Sequence, residues 1–440
     1  MANPASATIP ERPFGRLLGL KKHEYVAVAW SFAYFACVMT SYFMLRPMRE
    51  TMGVESGVTT IPFLFTSTFF VMLLVTPVFG WIASRFPRRK FLPWVYAFFA
   101  SNILCFYAAF SYADATNTDI VWIGRVFFVW ISVFNLFVVS VFWSFMADIY
   151  TREQGRRLFG VISAGGSAGA LIGPLITGLL VVPIGFQNLL PISACMLLVG
   201  IFCIHKLRRW VLLEREKELG KPVAPRKPLG GSAFAGISHV LKSRYLLAIA
   251  IASILASLLG TALYMMMNEL VGNAIDGADQ RTRLFSYIDG ATGILSLICQ
   301  LLLVRHSVHK LGIGLTLALM PLLSLLGFAL LAVNPALLVV AIFQATRRAI
   351  GFGFVKPTTD MLYSVVDDEE KYKAKNFVDT AIYRGGDVIG SWSVRLIWGL
   401  GVSGIALVML PFALLWVLVA LWTGREYRRR DSLAQFGAKT

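Results

Sequence analysis

Residues 206–245 read KLRRWVLLEREKELGKPVAPRKPLGGSAFAGISHVLKSRY, the longest polar stretch between two apolar segments of the chain. Six apolar segments precede it and six follow it, and each has the ~20 residues that a helix needs to cross a bilayer. The segments are continuously apolar rather than alternating, which excludes a membrane β-barrel. The sequence therefore predicts an all-α integral membrane protein of about 12 transmembrane helices, arranged as two six-helix halves.

The composition agrees with a membrane protein. Of the 440 residues, 57% are hydrophobic and 15% are charged, whereas soluble domains carry about 25% charged residues. These values exclude a disordered chain and a disulfide scaffold, and they argue against a cytosolic enzyme. The five cysteines all lie in apolar segments, where free buried thiols are expected.

The predicted spans and the connecting segments divide the chain into four parts. We predict an N-terminal six-helix half (1–207), a basic linker (208–244), a C-terminal six-helix half (245–424) and a basic tail (425–440). The predicted spans are 24–46, 60–83, 91–111, 119–146, 159–182, 188–207, 245–269, 284–304, 312–333, 335–358, 377–399 and 402–423.

The basic residues indicate the orientation. The net charge is +17, and most of the 41 Lys and Arg fall in alternate connections and in the two terminal segments. By the positive-inside rule, both termini are expected in the cytoplasm of a multi-pass protein of the cell inner membrane. Only four cations are expected outside, namely Arg46, Arg49, Arg281 and Arg283. Because the cations are spread between apolar segments, nucleic acid is not an expected partner, whereas membrane lipid is.

Two motifs resemble the major facilitator superfamily. Gly80-Trp-Ile-Ala-Ser84-Arg85-Phe-Pro-Arg88-Arg89-Lys90 is similar to its loop signature G-x-L-A-D-R-x-G-R-R-K, with Ser84 in place of Asp. Gly160, Gly169, Gly173, Pro174 and Gly178 resemble its glycine motif of the fifth helix. The resemblance implies a transporter fold whose substrate binds between the halves. In it, Arg85, Arg88 and Arg89 would latch one conformer, or else serve only as a positive-inside anchor.

An internal echo supports duplication of a six-helix unit. Asp148-Ile-Tyr-Thr, followed by Gly165-Gly166 and Gly169, corresponds in position to Asp360-Met-Leu-Tyr-Ser, followed by Gly385-Gly386 and Gly390. Gly351, Gly353 and Pro357 in the tenth span also predict a kinked or partly unwound helix.

Charged residues within the spans are the first functional candidates, because each costs at least ~2.5–3.5 kcal/mol at the bilayer centre. We predict that six cations bind substrate: Arg46, Arg49, Arg347, Arg348, Lys356 and Arg384. We predict that five acids take part in coupling or gating, together with the loop arginines: Glu269, Asp289, Asp360, Asp379 and Asp387. Asp379 and Asp387 are eight residues apart and expected on one helix face. A surplus of guanidinium favours an anionic solute, whereas ion pairing between helices is the structural alternative.

Further motifs occur in a fixed order. They are Leu45-Arg46-Pro47-Met48-Arg49-Glu50, Ile61-Pro62-Phe63-Leu64, Phe142-Trp143-Ser144-Phe145, Ala291-Thr292-Gly293, Pro357 with Met361 and Tyr363, and Lys375 with Asp379 and Arg384. In this order they resemble the ATP/ADP antiporter family, a distant branch of the major facilitator superfamily. The resemblance implies nucleotide exchange, with Arg49 in the place of a lysine linked to nucleotide recognition.

Two positions depart from that family's pattern. Asp387 stands where the family has a lysine, and Ile131 where it has a glutamate. We therefore predict a transporter of a small anionic solute, nucleotide-like or carrying a phosphate or carboxylate group, that works by alternating access. A proton-coupled transporter of another metabolite or of a lipid-like compound is the alternative, and a membrane enzyme is less favoured. The sequence predicts no catalytic residues, metal site or cofactor, and it leaves the oligomeric state open.

Overall fold

The computed structural model describes residues 24–85, 88–217, 237–300, 304–366, 374–375 and 377–437. These residues form helices joined by short turns. The long helices are α1 (Tyr25–Glu55), α2 (Ile61–Arg85), α3 (Arg88–Ala115), α4 (Val121–Ile149), α5 (Arg152–Ile184), α6 (Leu189–Lys217), α7 (Arg244–Ala274), α8 (Ala278–Ile298), α9 (Val304–Val333), α10, α11 and α12 (Gly401–Gly437). The short helix Ile237–Lys242 precedes α7.

Two of the long helices contain π turns. We use α10 for Leu337–Ile350, the π turn Gly351–Val355 and Lys356–Leu362 taken together. We use α11 for the π turn Val378–Ile382 and the helix Tyr383–Leu396. The kink predicted near Gly351 is therefore present as a π turn, a local widening that often occurs at functional sites.

Ten helices of the described chain are long and apolar enough to cross a membrane, which confirms the predicted multi-span helical fold. The remaining predicted spans correspond to α8 and α11. Helix α8 carries four charged residues, and the π turn leaves only Tyr383–Leu396 of α11 as regular α-helix. In each of them a buried polar face packs against other helices, including Asp289 of α8 and Ser391 of α11, while apolar side chains such as Ile294 and Ile389 are exposed on the outside.

Glycines allow α5 to lie directly against α1. A Cβ added at Gly169 would lie 2.5 Å from the carbonyl oxygen of Ala36, and one at Gly173 would lie 2.9 Å from that of Thr40. Larger side chains would therefore push the two helices apart. The glycine motif predicted from the sequence thus has a packing role at this contact.

The same arrangement recurs between α11 and α7. A Cβ at Gly386 would lie 2.9 Å from Cβ of Ser257, and one at Gly390 would lie 3.1 Å from Cα of Leu258. Helices α5 and α11 hold the same place in their respective sets of six. The internal echo in the sequence therefore coincides with two equivalent helix contacts.

Each set of six helices has its own hydrophobic core. One buried cluster draws its residues from 27–207, and two others draw almost all of theirs from 240–427. We call α1–α6 the first half and α7–α12 the second half. The end of the bundle at which α1 begins and α12 ends is called the terminal end, and the opposite end is called the far end.

Candidate functional site

A cavity of about 520 Å³ lies between the two halves, near the middle of the helices. Its walls come from α1, α2 and α4 of the first half and from α7, α10 and α11 of the second half. This volume falls within the usual range for small-molecule sites, roughly 300–1,000 Å³. The location fits the expectation that a substrate binds at the interface of the halves.

Five of the six cations predicted to bind substrate line this cavity. They are Arg46, Arg49, Arg347, Arg348 and Arg384. Helix α1 supplies the first two, since residues three apart share a helix face. Helix α10 supplies the adjacent pair just before its π turn, and α11 supplies the last just after its own. The fold thus brings together guanidiniums that are about 300 residues apart in sequence.

Asp289 of α8 connects the two halves through two of these arginines. Its Oδ1 lies 2.9 Å from Nη1 of Arg46 and 2.6 Å from Nη1 of Arg348. The carboxylate is buried, with a side chain 3% exposed, and its Oδ2 has no hydrogen-bond partner in the described chain. Short charge-assisted contacts of this kind are the strong ones in a medium of low dielectric constant.

Arg49 contacts both an acid and an aromatic ring. Its Nη1 lies 3.2 Å from Oε1 of Glu50, and its guanidinium carbon lies 4.0 Å from the ring centre of Phe128. Glu50 also approaches Arg46, at 3.8 Å. The ring and the carboxylate together hold the Arg49 fork against the cavity wall.

Arg347 differs because its contact is with the backbone. It is 7% exposed, and its Nη2 donates a hydrogen bond of 2.7 Å to the carbonyl oxygen of Ala256 in α7. A Cβ at Gly260, one turn further along α7, would lie 3.0 Å from Nη1 of Arg347. The glycine therefore provides the space that the guanidinium occupies beside the cavity.

Asp387 contacts the same stretch of α7 as Arg347, among hydroxyl groups. It accepts hydrogen bonds from Ser257 and, at 3.3 Å, from Thr261, both on α7. Its Oδ2 is 3.6 Å from Nη1 of Arg384, one turn earlier on α11. The carboxylate is thus stabilised by two hydroxyl donors and one guanidinium.

Several polar atoms on the cavity wall have no hydrogen-bond partner in the described part of the chain. They are Nε of Arg49, Oε2 of Glu50, Oγ1 of Thr68, the hydroxyl of Tyr264, Oε1 of Gln344 and Nε of Arg347. Buried polar groups are nearly always hydrogen-bonded, so such a cluster indicates a place where a ligand or water completes the bonding. The wall offers both donors and an acceptor to a bound solute.

Aromatic side chains complete the lining. Tyr42, Phe43, Phe65, Phe69, Tyr264, Phe352 and Tyr383 all contribute to it. The rings of Phe65 and Tyr264, one from each half, are stacked with centroids 5.5 Å apart and an interplanar angle of 28°. Such faces are suited to stacking against a flat ring of a solute.

The other predicted site residues lie away from the cavity lining. Lys356, Asp360 and Asp379 form a partly exposed cluster toward the terminal end, with Lys375 as a second cation. Lys356 Nζ is 3.0 Å from Asp379 and 3.5 Å from Asp360. Lys356 does not line the cavity. It lies beyond the π turn of α10, where its ammonium group pairs with these two acids.

The π turn of α11 separates two acids expected to lie on one helix face. Asp379, within the turn, pairs with Lys356 of α10, whereas Asp387 lies beyond it and faces the cavity. Eight residues of helix separate the two carboxylates by roughly 12 Å along the axis, so they meet different neighbours. The shared face expected for this pair stays a prediction, while their contacts are separate.

Of the remaining predicted residues, one lies near the far end of the bundle, and three have side chains that the structure does not describe. Glu269 is half-buried toward the far end and accepts a hydrogen bond of 3.3 Å from Asn273. The side chains of Arg85, Arg88 and Arg89 lie outside the described residues, so their latch role stays a prediction.

Several residues that line the cavity were not among the site residues predicted from the sequence. Glu50 was present in a quoted motif, and its position four residues after Arg46 is the signal for its pairing with that arginine. Thr68, Tyr264 and Gln344 are polar residues in apolar spans, and nothing in one sequence separates them from residues that only contact neighbouring helices.

Contacts between the halves cluster at the far end. Oε1 of Glu55 lies 2.6 Å from Nη1 of Arg281, and the hydroxyls of Thr51 and Thr282 are 2.8 Å apart. On the other side of the interface, Arg395 donates a 2.8 Å hydrogen bond to the carbonyl oxygen of Thr59, and Trp392 donates one of 3.1 Å to Thr66. These bonds close the cavity toward the far end.

Comparison with known families agrees with this architecture. The family model described as Major Facilitator Superfamily matches residues 26–370, more than three quarters of the chain. The chain belongs to this superfamily. The transporter fold that the loop and glycine motifs indicate is thereby confirmed, and the chain is a multi-pass membrane protein of a transporter family.

Individual relatives show which members of the superfamily the chain is similar to. The chain is 23% identical to ADP,ATP carrier protein 2 of Chlamydia pneumoniae, with 96% of this chain and 94% of that protein covered. It is 24% identical to ADP,ATP carrier protein 1 of Chlamydia trachomatis, with 87% and 84% covered. The distant resemblance to the ATP/ADP antiporter family is confirmed over nearly the whole length.

Solved structures share the fold at low sequence identity. A bacterial homologue of the iron transporter ferroportin in the inward-facing state has a TM-score of 0.66 at 11% identity, covering 92% of this chain and 98% of that chain. The nucleoside transporter NupG has a TM-score of 0.58 at 15% identity, covering 92% and 98%. Both likenesses concern the fold alone.

Proposed function

We propose that the protein exchanges a small organic anion, nucleotide-like in having both a flat ring and an acidic group, across the membrane by alternating access. The observation that carries the proposal is the set of five arginines around one cavity between the halves. Guanidinium forks bind carboxylate and phosphate oxygens bidentately, and they do so most strongly where water is scarce. The similarity to ADP,ATP carrier proteins supports the same class of solute.

The shared acid Asp289 offers a way to couple binding to movement. It joins Arg46 of the first half to Arg348 of the second half across the interface. An anion that enters the cavity competes with Asp289 for these two arginines. Binding therefore weakens a contact between the halves, and in this proposal it lowers the barrier to their separation at the far end.

The orientation belongs to the same proposal. We infer that both termini lie in the cytoplasm of an inner-membrane protein, which makes the far end periplasmic. The halves at 1–207 and 245–424 then move as units joined by the linker 208–244. The described conformation, closed at the far end, corresponds to the inward-facing state.

Exchange in proteoliposomes tests the proposal. Vesicles loaded with unlabelled adenine nucleotide are given labelled nucleotide outside, and counter-exchange is compared between wild type, R347Q and R348Q. We expect each variant to lose at least about ten-fold in exchange, since one charge-assisted contact contributes roughly 1.5–3 kcal/mol. R283Q is the matched control, because Arg283 bonds the exposed Tyr287 outside the cavity lining.

The outcomes separate clearly. Equal losses in R283Q and R347Q would show that the effect does not depend on the cavity. Absence of exchange with any organic anion, together with uptake of cations, would refute the proposal.

Asp387 favours one alternative, proton-coupled transport on the same fold. Its carboxylate lies on the cavity wall within reach of Ser257, Thr261 and Arg384, so its protonation would alter the charge that a solute meets. Uptake driven by an imposed pH gradient, abolished in D387N, would support this alternative. Exchange that is unaffected by the gradient would exclude it.

A further inference from the structure

The charged side chains around the cavity do not cancel. Arg49 is paired with Glu50, and Arg384 is paired with Asp387. Arg46 and Arg348, however, share the single carboxylate of Asp289. Arg347 contacts a backbone carbonyl instead of an acid. Among the described residues, five guanidiniums therefore face three carboxylates, which leaves an excess of two positive charges.

Two other described clusters at the interface of helices carry no such excess. Toward the terminal end, Lys356 and Lys375 are matched by Asp360 and Asp379. At the far end, Arg281 is matched by Glu55. Arg429 and Arg430 do share the single acid Glu426, but they lie at a partly exposed site where water and salt screen the charge.

The excess of two positive charges has different energetic consequences at different stages of the transport cycle. While the cavity is open, water and counter-ions compensate the excess. When both ends are closed around a solute, water is reduced and an unbalanced charge becomes expensive, because the medium has a low dielectric constant. The occluded complex is favoured most when the charge of the solute cancels the excess.

We propose that the solute is a dianion with a flat ring, of the nucleoside monophosphate class, rather than a di- or triphosphate. This inference rests on the proposed function. A phosphate monoester carries about −1.5 to −2 charges at pH 7 and has three acceptor oxygens. Those oxygens match the unpartnered Nε donors of Arg347 and Arg49 on the cavity wall, while the ring stacks on Phe65 or Phe69.

A competition series that varies charge at constant ring tests the proposal. Adenosine, cyclic AMP, AMP, ADP and ATP carry roughly 0, −1, −2, −3 and −4 charges at pH 7.5, since each phosphoryl group adds about one to two. Each is offered as a competitor of labelled AMP counter-exchange in proteoliposomes. We expect AMP to compete at least ten-fold better than ATP, and adenosine not to compete.

The result distinguishes a failure of the dianion proposal from a failure of the proposed anion exchange. If ADP or ATP competes as well as AMP or better, the dianion proposal is wrong while anion exchange stands. If none of the charged compounds exchanges or competes, the proposed function itself fails.

Charge-changing variants test the cause of the preference. D387N and E50Q each raise the excess to three positive charges. In each variant the potency of ADP as a competitor, relative to that of AMP, should increase at least five-fold. R347Q lowers the excess to one and should move the best competitor toward cyclic AMP. The acids lie on different helices, α11 and α1, so misfolding of one variant leaves the other informative.

R283Q, which changes a charge away from the cavity, should leave the ratio unchanged. An unchanged ratio in D387N, E50Q and R347Q alike would overturn the charge-matching argument, even if AMP were the best substrate of the wild type.

Discussion

The arginines of the cavity illustrate how one residue depends on a neighbour for its role. Arg347 fits against α7 only because position 260 is glycine, whereas Arg46 and Arg348 are held by one carboxylate. An arginine buried with no acid or carbonyl partner would be strongly unfavourable. The same contacts that stabilise the guanidiniums also fix the direction in which they face the solute.

D289N tests this dependence at the residue scale. The substitution leaves the guanidiniums of Arg46 and Arg348 close together without the negative charge that lies between them. We expect a loss of about 3 kcal/mol in stability, since removal of one partner of a buried ion pair typically costs 3–5 kcal/mol. Thermal unfolding in detergent would measure it, and exchange should fall at least ten-fold.

E269Q is the matched control for D289N. Glu269 is half-buried, has no ion pair among the described residues and bonds Asn273, so E269Q should change neither stability nor exchange by more than about 0.5 kcal/mol. A defect in E269Q as large as that in D289N would instead support the coupling role predicted for Glu269.

At the scale of helices, close contact through glycine joins α5 to α1 and α11 to α7. In both cases the neighbouring atoms belong to the backbone or to a Cβ, which cannot move aside without displacing the helix. In a bilayer no hydrophobic effect drives helices together, so this close packing supplies much of their association. The glycine spacing is therefore a property of the helix pair.

G169A should weaken the contact between α5 and α1. The added Cβ would lie 2.5 Å from the carbonyl oxygen of Ala36, and overpacking of this kind costs typically 1–3 kcal/mol. We expect a fall of several degrees in the unfolding midpoint in detergent. G160A on the same helix is the control, because a Cβ there meets no atom within 4 Å. Equal effects of the two substitutions would contradict the packing argument.

At the scale of the whole molecule, the contacts at the far end decide which conformer is populated. Glu55 with Arg281 and Thr51 with Thr282 join the first half to the second half there. They must break if the cavity is to open at the far end. Their strength therefore sets the balance between the two access states.

E55Q should shift this balance toward opening at the far end. Loss of the partly buried ion pair should change the equilibrium about five-fold, since such a pair contributes roughly 1 kcal/mol. Labelling of an S132C reporter on the cavity wall by an impermeant maleimide added at the far end, in a background without the native cysteines, measures the opening. E426Q, which removes an acid from the Arg429 and Arg430 pairs near the terminal end, is the control. No increase in labelling would contradict the gate.

The amino-acid sequence by itself determined the helical membrane fold, the repeated glycine spacing and the arginines that line the cavity. Apolar length, basic connections and glycine spacing are local features, and each has a direct physical cost or benefit in a bilayer. Arg46, Arg49, Arg347, Arg348 and Arg384 could be selected for the same reason, because a charge in a span is expensive wherever it lies.

Only the tertiary structure decided which charges meet. It paired Asp289 with arginines of both halves, gave Arg347 a backbone carbonyl as its hydrogen-bond partner, and placed Asp379 and Asp387 in separate contacts. These relations depend on distances between helices far apart in sequence. The excess of two positive charges follows from those pairings, and it is the property on which the choice of solute depends.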